Sequence, residues 1–184
     1  MAAHPSDIVS FWREAGPKRW YAKDESFDDA IRLKFEPVHH AAARGEYDGW
    51  TETPEGALAL VILLDQFPRN LYRGSAHAFA TDGLALKLAD EAIARGHDRA
   101  VEPLLREFFY MPFAHAEDLA LQDRAVELLG ALGRERGEAD PGMWARIHRE
   151  IIARFGRFPH RNRALGRATT SEEQAFLDGG GFAG

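Results

Sequence analysis

The sequence predicts an all-α protein. Hydrophobic residues recur at helical spacings along most of the chain, and proline and glycine separate these segments at short intervals. The alternation of hydrophobic and polar residues that marks a half-exposed strand is nearly absent. We expect about eight helices as stacked antiparallel hairpins in one domain over residues 1–184, with a frayed tail at 179–184.

Two helices are predicted in the first quarter of the chain. Ser6 is placed to cap the first of them. In the second, Phe27, Ile31 and Phe35 follow one another at intervals of four and so lie on one helical face. Pro37 lacks a backbone N–H group and is expected to kink or interrupt this second helix.

The third expected helix is the most hydrophobic part of the sequence. Thr53 and Pro54 are typical of a helix start, as cap and first-turn residue. Residues 57–66 are hydrophobic on nearly every face, which predicts a helix buried at the centre of the protein. Because Pro68 disfavours helical geometry at the residue before it, we expect this helix to end at Phe67.

Five further helices are expected in the rest of the chain. Their first residues, or the residues just before them, are Thr81, Asp98, Leu121, Pro141 and Ser171. Pro112 is expected to stop the helix that follows Asp98. The residues from Ser171 onward have the spacing of a capping box, which predicts a short last helix.

Composition excludes several kinds of function. The chain has no cysteine, which excludes disulfides, thiolate catalysis and cysteine-ligated metal centres. A net charge of −6 argues against nucleic-acid binding, and no hydrophobic run is long enough to cross a bilayer. None of the eight histidines has the helical spacing of a metal site, and the common phosphate-loop and dinucleotide motifs are absent. We therefore expect a soluble cytoplasmic protein without metal, cofactor, nucleic-acid partner or membrane partner.

Two similar turns concentrate polar side chains after hydrophobic helices. The first reads Phe-Pro-Arg-Asn and the second Phe-Pro-His-Arg-Asn, and the second lies in a stretch, 144–167, with seven arginines and one acid. Planar guanidinium groups suit carboxylates and phosphates, so these turns predict a pocket for a small anionic ligand or an acidic peptide. The expected ligand-binding residues of the two turns are Asp65, Arg69, Asn70, Arg73, Arg157, His160, Arg161 and Asn162.

A third motif lies between the two turns in sequence, at residues 108–118. His115 with Glu117 or Asp118 could form an acid–base pair, with Tyr110 nearby, which would favour a hydrolase or a transferase. The alternative interpretation is that His115 and the following acids only cap a helix. If all three motifs are helix ends locked by ion pairs, their role is structural.

The three motifs resemble the signatures of the bacterial domain-of-unknown-function family number 924. They carry this resemblance as Asp65–Asn70, Tyr110–Glu117 and Gly156–Asn162, in the same order along the chain. Ala116 stands where serine is expected in many members. The resemblance implies a tetratricopeptide-like fold of stacked helical hairpins and no established activity. By analogy with such folds, an adaptor that binds a protein partner is a further interpretation.

Overall fold

All regular secondary structure in residues 3–182, the part of the chain described by the computed structural model, is helical. The α-helices are α1 (Pro5–Ala15), α2 (Pro17–Trp20), α3 (Glu25–Ala43), α4 (Pro54–Val61), α5 (Phe67–Leu71), α6 (Asp82–Ala94), α7 (Pro103–His115), α8 (Leu119–Glu135), α9 (Met143–Phe155) and α10 (Ser171–Asp178). Short 3₁₀ helices occur in four of the connections. The all-α prediction is confirmed. Within these residues, no helix is both long enough and apolar enough to cross a membrane.

The chain divides into two compact units, which we name by their place in the sequence. The amino-terminal unit comprises residues 1–73 and 77–112, and the carboxy-terminal unit comprises 74–76 and 113–184. Helix α7 contains the division between residues 112 and 113. The single domain over 1–184 stays a prediction, and residues 183 and 184 of the expected tail lie outside the described residues.

Aromatic side chains form the centre of the amino-terminal unit. The ring of Trp12, which is fully buried, lies 5.6 Å from the ring of Phe67 and 5.5 Å from that of Phe108, between centroids. Every residue from 56 to 68 is buried, which confirms the central position predicted for this hydrophobic helix. Phe67 thus belongs to the core, and the polar turn that follows it is anchored to buried residues.

The prediction that this helix ends at Phe67 is wrong. A π-helical segment, Ile62–Gln66, joins α4 to α5, so one helical run continues from Pro54 to Leu71. The N–H group of Phe67 donates to the carbonyl of Ile62, five residues earlier, as in a π-helix. Pro68 takes a place in the first turn of α5, where a missing N–H group is tolerated best.

The π-helical segment leaves two carbonyl groups for side chains from elsewhere. Pro68 has no N–H group to offer Leu64, and the Thr81 hydroxyl donates to that carbonyl at 2.6 Å. The Leu63 carbonyl lies 2.8 Å from Nδ1 of His39, which must be the donor because a carbonyl only accepts. Tertiary hydrogen bonds therefore compensate for the irregular helix, and they are what a purely local prediction misses.

Helix α7 likewise continues through the proline that was expected to stop it. Pro112 is buried inside α7, which ends three residues later at His115. Buried neighbours on both sides, Phe109 and Phe113, hold this part of the helix in the core. An interior proline costs about 3 kcal/mol, and burying two phenylalanine side chains gains about as much. Pro37 similarly lies inside α3, which continues to Ala43.

In the carboxy-terminal unit, α8 and α9 pack against each other, and α10 is the last helix of the described residues. One hydrophobic cluster in the core of this unit contains Ile151, Ile152 and Phe158. The predicted capping box at the start of α10 is present one residue earlier than expected. Thr170 is the cap, and its side chain and that of Glu173 each accept a backbone N–H group of the other residue.

Buried His39 makes the stability of the protein sensitive to acid. Burial, with the charge of nearby His40, lowers the pKa of His39 although the bond to the Leu63 carbonyl opposes this. The unfolded chain therefore binds a proton more readily, and we expect stability to fall as pH drops below about 6.5. This one group should change the free energy of unfolding by at most about 1.4 kcal/mol per pH unit.

Chemical denaturation between pH 7.5 and 5 measures this effect. His39→Gln, which keeps a hydrogen-bond donor, should remove this contribution to the acid dependence. His40→Gln should keep most of it, because burial is the largest cause of the shift at His39. Equal acid dependence in wild type and His39→Gln would contradict the prediction.

Candidate functional site

The first predicted turn lies in the amino-terminal unit and is held by an ion-pair network. The two terminal nitrogens of Arg69 donate to the carboxylate of Asp82 at 2.9 and 3.0 Å. The Asp65 carboxylate, which is fully buried, lies 3.4 Å from the same guanidinium. Burial lowers the pKa of Arg69, but the charges of Asp65 and Asp82 outweigh it and raise that pKa.

The remaining donors of the first turn bind a carboxylate from α3. Arg73 donates to both oxygens of Asp28 at 2.5 and 2.9 Å, and the Asn70 amide donates to Asp28 at 2.8 Å. These three bonds are local to the amino-terminal unit. In this first-turn network, two guanidinium groups thus bind three carboxylates. The predicted ligand-binding role of these residues stays a prediction, but their donors already bind acceptors within this unit.

Tyr110 belongs to the amino-terminal unit as well and is buried. Its hydroxyl donates to the carboxylate of Asp98 at 2.6 Å. Burial first, and then this bond and the negative charge of Asp98, raise the pKa of Tyr110. Tyr110 therefore stays a neutral donor at physiological pH, and its environment is that of a hydrogen-bonded core residue.

The second predicted turn lies in the carboxy-terminal unit and surrounds Glu173. Arg157 donates to both oxygens of this carboxylate at 2.6 and 2.9 Å, and the amide of Asn162 donates at 3.2 Å. The Thr170 N–H group adds a bond of 2.8 Å. The hydrogen bond from Arg157 and that from the Thr170 backbone are the main reasons why the pKa of Glu173 is lowered to about 2.

Glu117 is predicted to form half of an acid–base pair with His115. In the structure, residues of the second turn bind its carboxylate. Arg167 donates to its two carboxylate oxygens at 2.6 and 3.0 Å, and the N–H group of Phe158 donates at 2.8 Å. Burial raises the pKa of Glu117, but these bonds and the charges of Arg167 and Arg161 outweigh it and lower that pKa. Glu117 is therefore a fixed anion, poorly suited to donating a proton at neutral pH.

His115 is the last residue of α7, and the backbone around it is fixed from both sides. The amide of Gln122, which is fully buried, donates to the carbonyls of Ala114 and Ala116 at 2.8 and 2.7 Å. Nδ1 of His148 lies 3.2 Å from the Ala114 carbonyl. The pairing of His115 with Glu117 as an acid–base couple stays a prediction.

Aromatic and basic side chains gather around Phe158 in the same unit. We call Phe158, His148, His160, Arg161 and Phe182 the aromatic–basic cluster. The guanidinium of Arg161 lies 4.5 Å from the centroid of the buried Phe158 ring. The two histidine rings lie 5.3 and 5.5 Å from that ring, and Phe182 lies 4.6 and 5.2 Å from His148 and His160.

The arginines of the two turns meet different acids. In the second turn Arg157 pairs with Glu173, Arg167 pairs with Glu117, and the charge of Arg161 also acts on Glu117. In the first turn Arg69 pairs with Asp65 and Asp82, and Arg73 pairs with Asp28. The two turns are therefore alike in sequence but differ in the carboxylates that bind their arginines. Arg167 and Glu173 were not predicted as site residues, although a basic stretch and a capping-box acid were visible signals.

An apolar groove with a volume of about 510 Å³ lies in the carboxy-terminal unit and shares Phe182 with the aromatic–basic cluster. Its lining residues come from α9, α10 and the tail after α10, and they are Trp144, Ile147, Glu150, Ile151, Arg154, Phe155, Phe176, Gly180, Gly181 and Phe182. Trp144 is 60% exposed. Across residues 3–182, no three histidine, aspartate or glutamate side chains are arranged to hold a metal ion.

The fold and these contacts define an all-α protein whose carboxy-terminal unit carries a basic cluster beside an apolar groove. The chain belongs to the family described as bacterial protein of unknown function (DUF924), which matches residues 8–181. A solved structure of a protein of unknown function from Agrobacterium tumefaciens is 53% identical, with a TM-score of 0.88 over 95% of this chain and 97% of that chain. No curated protein matches. The family prediction is confirmed, and no activity follows from it.

Proposed function

We propose that the protein binds a small anionic ligand, or the acidic end of a peptide, at the aromatic–basic cluster. The observation that carries this proposal is the concentration of basic side chains around Phe158, where the guanidinium of Arg161 and two histidine rings lie within 5.5 Å of one aromatic ring. A ligand carboxylate or phosphate would be attracted to this concentration of basic groups. The first turn, whose arginines bind three carboxylates, takes a structural role in this proposal.

The chemistry of the cluster suits a planar anion. Arg161 is only 7% exposed and lies against Phe158, an arrangement that fixes the plane of its guanidinium. Electrostatic attraction is stronger at a site with little access to water. The rings of His148 and His160 lie beside it on the same Phe158 ring. The N–H group of Phe158 and the side chain of Arg167 both bind Glu117, which holds the turn in place and keeps the basic groups preorganised.

Binding is favoured over catalysis by the state of Glu117. Its carboxylate is already bound by Arg167 and by the N–H group of Phe158, and its pKa is lowered. The alternative is a hydrolase or transferase that uses His115 with Glu117. A tetratricopeptide-like adaptor remains another, and the exposed Trp144 beside the groove is the observation that favours it.

Titration calorimetry with inorganic phosphate and with succinate tests the proposed site. We expect both anions to bind wild type, and Arg161→Gln to weaken binding at least about tenfold, the loss expected for one charge-assisted hydrogen bond. Arg163→Gln is the matched control, since Arg163 is an exposed arginine of the same turn with the same charge. It should bind within about twofold of wild type, because the charge of an exposed side chain is largely screened.

Circular dichroism must show that Arg161→Gln is folded at the temperature of the titration. Arg161→Lys is the second variant, because it keeps the charge and loses the planar fork. Binding by Arg161→Gln as tight as by wild type would overturn the proposal. Equal weakening in Arg161→Gln and Arg163→Gln would overturn it too, because it would show only a general charge effect.

A further inference from the structure

We propose that the anion taken by this site is an aromatic carboxylate, and that Phe182 occupies the place of its ring when no ligand is bound. This inference rests on the proposed function above. It adds the class of ligand and an internal competitor for it. The side chain that carries the inference is the last one described in the chain.

The ring of Phe182 lies among other rings, in the position that a ligand ring would take. Its centroid is 4.6 Å from that of His148, 5.2 Å from that of His160 and 6.3 Å from that of Trp144. Aromatic pairs at these distances attract each other beyond the effect of burying their surface. The surroundings therefore favour a flat ring over an aliphatic chain.

The connection of Phe182 to the rest of the protein allows its ring to leave. Three glycines, 179–181, precede it, and Gly180 has a φ of +80°. Backbone bonds from Gly180 to Leu177 and from Gly181 to Phe176 tie these glycines to the end of α10. Phe182 follows these bonds and is only half-buried, so its ring can turn away from the cluster without breaking them.

A side chain at Gly181 would prevent this path of the chain. A Cβ atom there would lie 2.5 Å from the ring of Phe176 and 2.6 Å from its carbonyl oxygen. The glycine lets the backbone pass directly over Phe176 and place Phe182 against the histidines. Gly181 thus allows the Phe182 ring to pack within the aromatic–basic cluster.

The positions of ring and charge together define the ligand class. The groove continues from Phe182 along Trp144, Phe155 and Phe176, so it offers more aromatic surface than one ring covers. His148 and His160 contact both Phe182 and Phe158, and Arg161 lies on the Phe158 ring. A carboxylate on a short alkyl arm would extend from the Phe182 position toward these basic groups.

Calorimetry with 3-phenylpropionate and with propionate tests this inference on the full chain. Wild type should bind 3-phenylpropionate more tightly than propionate. In Phe182→Ala the competing ring is gone, and affinity for 3-phenylpropionate should rise about tenfold if the ring is seated nine times in ten. Affinity for propionate should stay within about twofold. Phe182→Leu is the matched control, because it keeps an apolar side chain but not the ring. Its affinity for 3-phenylpropionate should rise less than that of Phe182→Ala.

The outcomes separate this inference from the proposed function. If Phe182→Ala binds 3-phenylpropionate no better than wild type, or if propionate binds equally well, the inference is overturned. Binding of phosphate and succinate that still depends on Arg161 would then leave the proposed function standing. If none of the four anions binds any folded variant, both proposals fall.

Discussion

Replacing Glu173 with alanine is expected to lower the free energy of unfolding by about 3 to 4 kcal/mol, near the lower end of the range for breaking a buried ion pair. Glu173 is 2% exposed and accepts two bonds from Arg157, one from Asn162 and one from the Thr170 backbone. Its removal leaves these donors in a site with little water. For a protein of this length the melting temperature should fall by about 10 °C.

Glu172 provides the matched control for Glu173, since it is the adjacent acid on the same helix. It pairs with Arg154, but its side chain is 66% exposed and that of Arg154 is 53% exposed. Glu172→Ala should therefore cost no more than about 0.5 kcal/mol. Equal destabilisation by the two substitutions, in thermal or urea unfolding at pH 7, would refute the central role of Glu173.

Acid provides a second measurement of the same ion pair. Because the pKa of Glu173 is about 2 in the folded protein and lies near 4.3 in an unfolded chain, its ionisation stabilises the fold fully above that higher value. The contribution is lost as pH falls from about 4.3 through 2. The difference in stability between wild type and Glu173→Ala should narrow over this range. A difference in stability that does not change over this pH range would show that the packing of the Glu173 side chain, and not its charge, stabilises the fold.

Local sequence patterns were sufficient to predict most helices, and they failed where tertiary contacts compensate for a local penalty. Helical spacing and caps gave the starts of α4 and α6 to within a residue. The ends expected at Phe67 and Pro112 are absent, because the core holds both prolines inside helices. The donors that satisfy the π-helical segment come from His39 and Thr81, which are distant in sequence, so no local rule could supply them.

The polar turns show the same limit at the level of the site. The sequence places arginines and asparagines together, but it does not show which acids meet them. Arg69 pairs with Asp82, 13 residues away, and Arg73 pairs with Asp28, 45 residues away. The repeated Phe-Pro and Arg-Asn pattern therefore predicted similar turns without predicting these long-range partners.

Replacing Arg69 with methionine is expected to cost about 3 to 5 kcal/mol, because it removes the guanidinium that lies beside the fully buried Asp65 and binds both oxygens of Asp82. Methionine keeps much of the apolar stem, so the loss reflects charge more than packing. Arg95→Met is the control. Arg95 pairs with Glu52, and both side chains are largely exposed, so this change should cost less than about 1 kcal/mol.

A double variant shows how much of that loss comes from the carboxylate of Asp65. Asp65→Asn combined with Arg69→Met should be more stable than Arg69→Met alone by about 1 to 2 kcal/mol, because the buried charge that lost its guanidinium partner is then gone. Urea unfolding of the four proteins in this cycle gives the coupling energy. If Arg69→Met were as stable as wild type, the structural role of the first turn would be refuted. Arg69 would then be available to an anion, as the sequence first suggested. A large coupling energy would instead show that the first turn stabilises the fold of the amino-terminal unit.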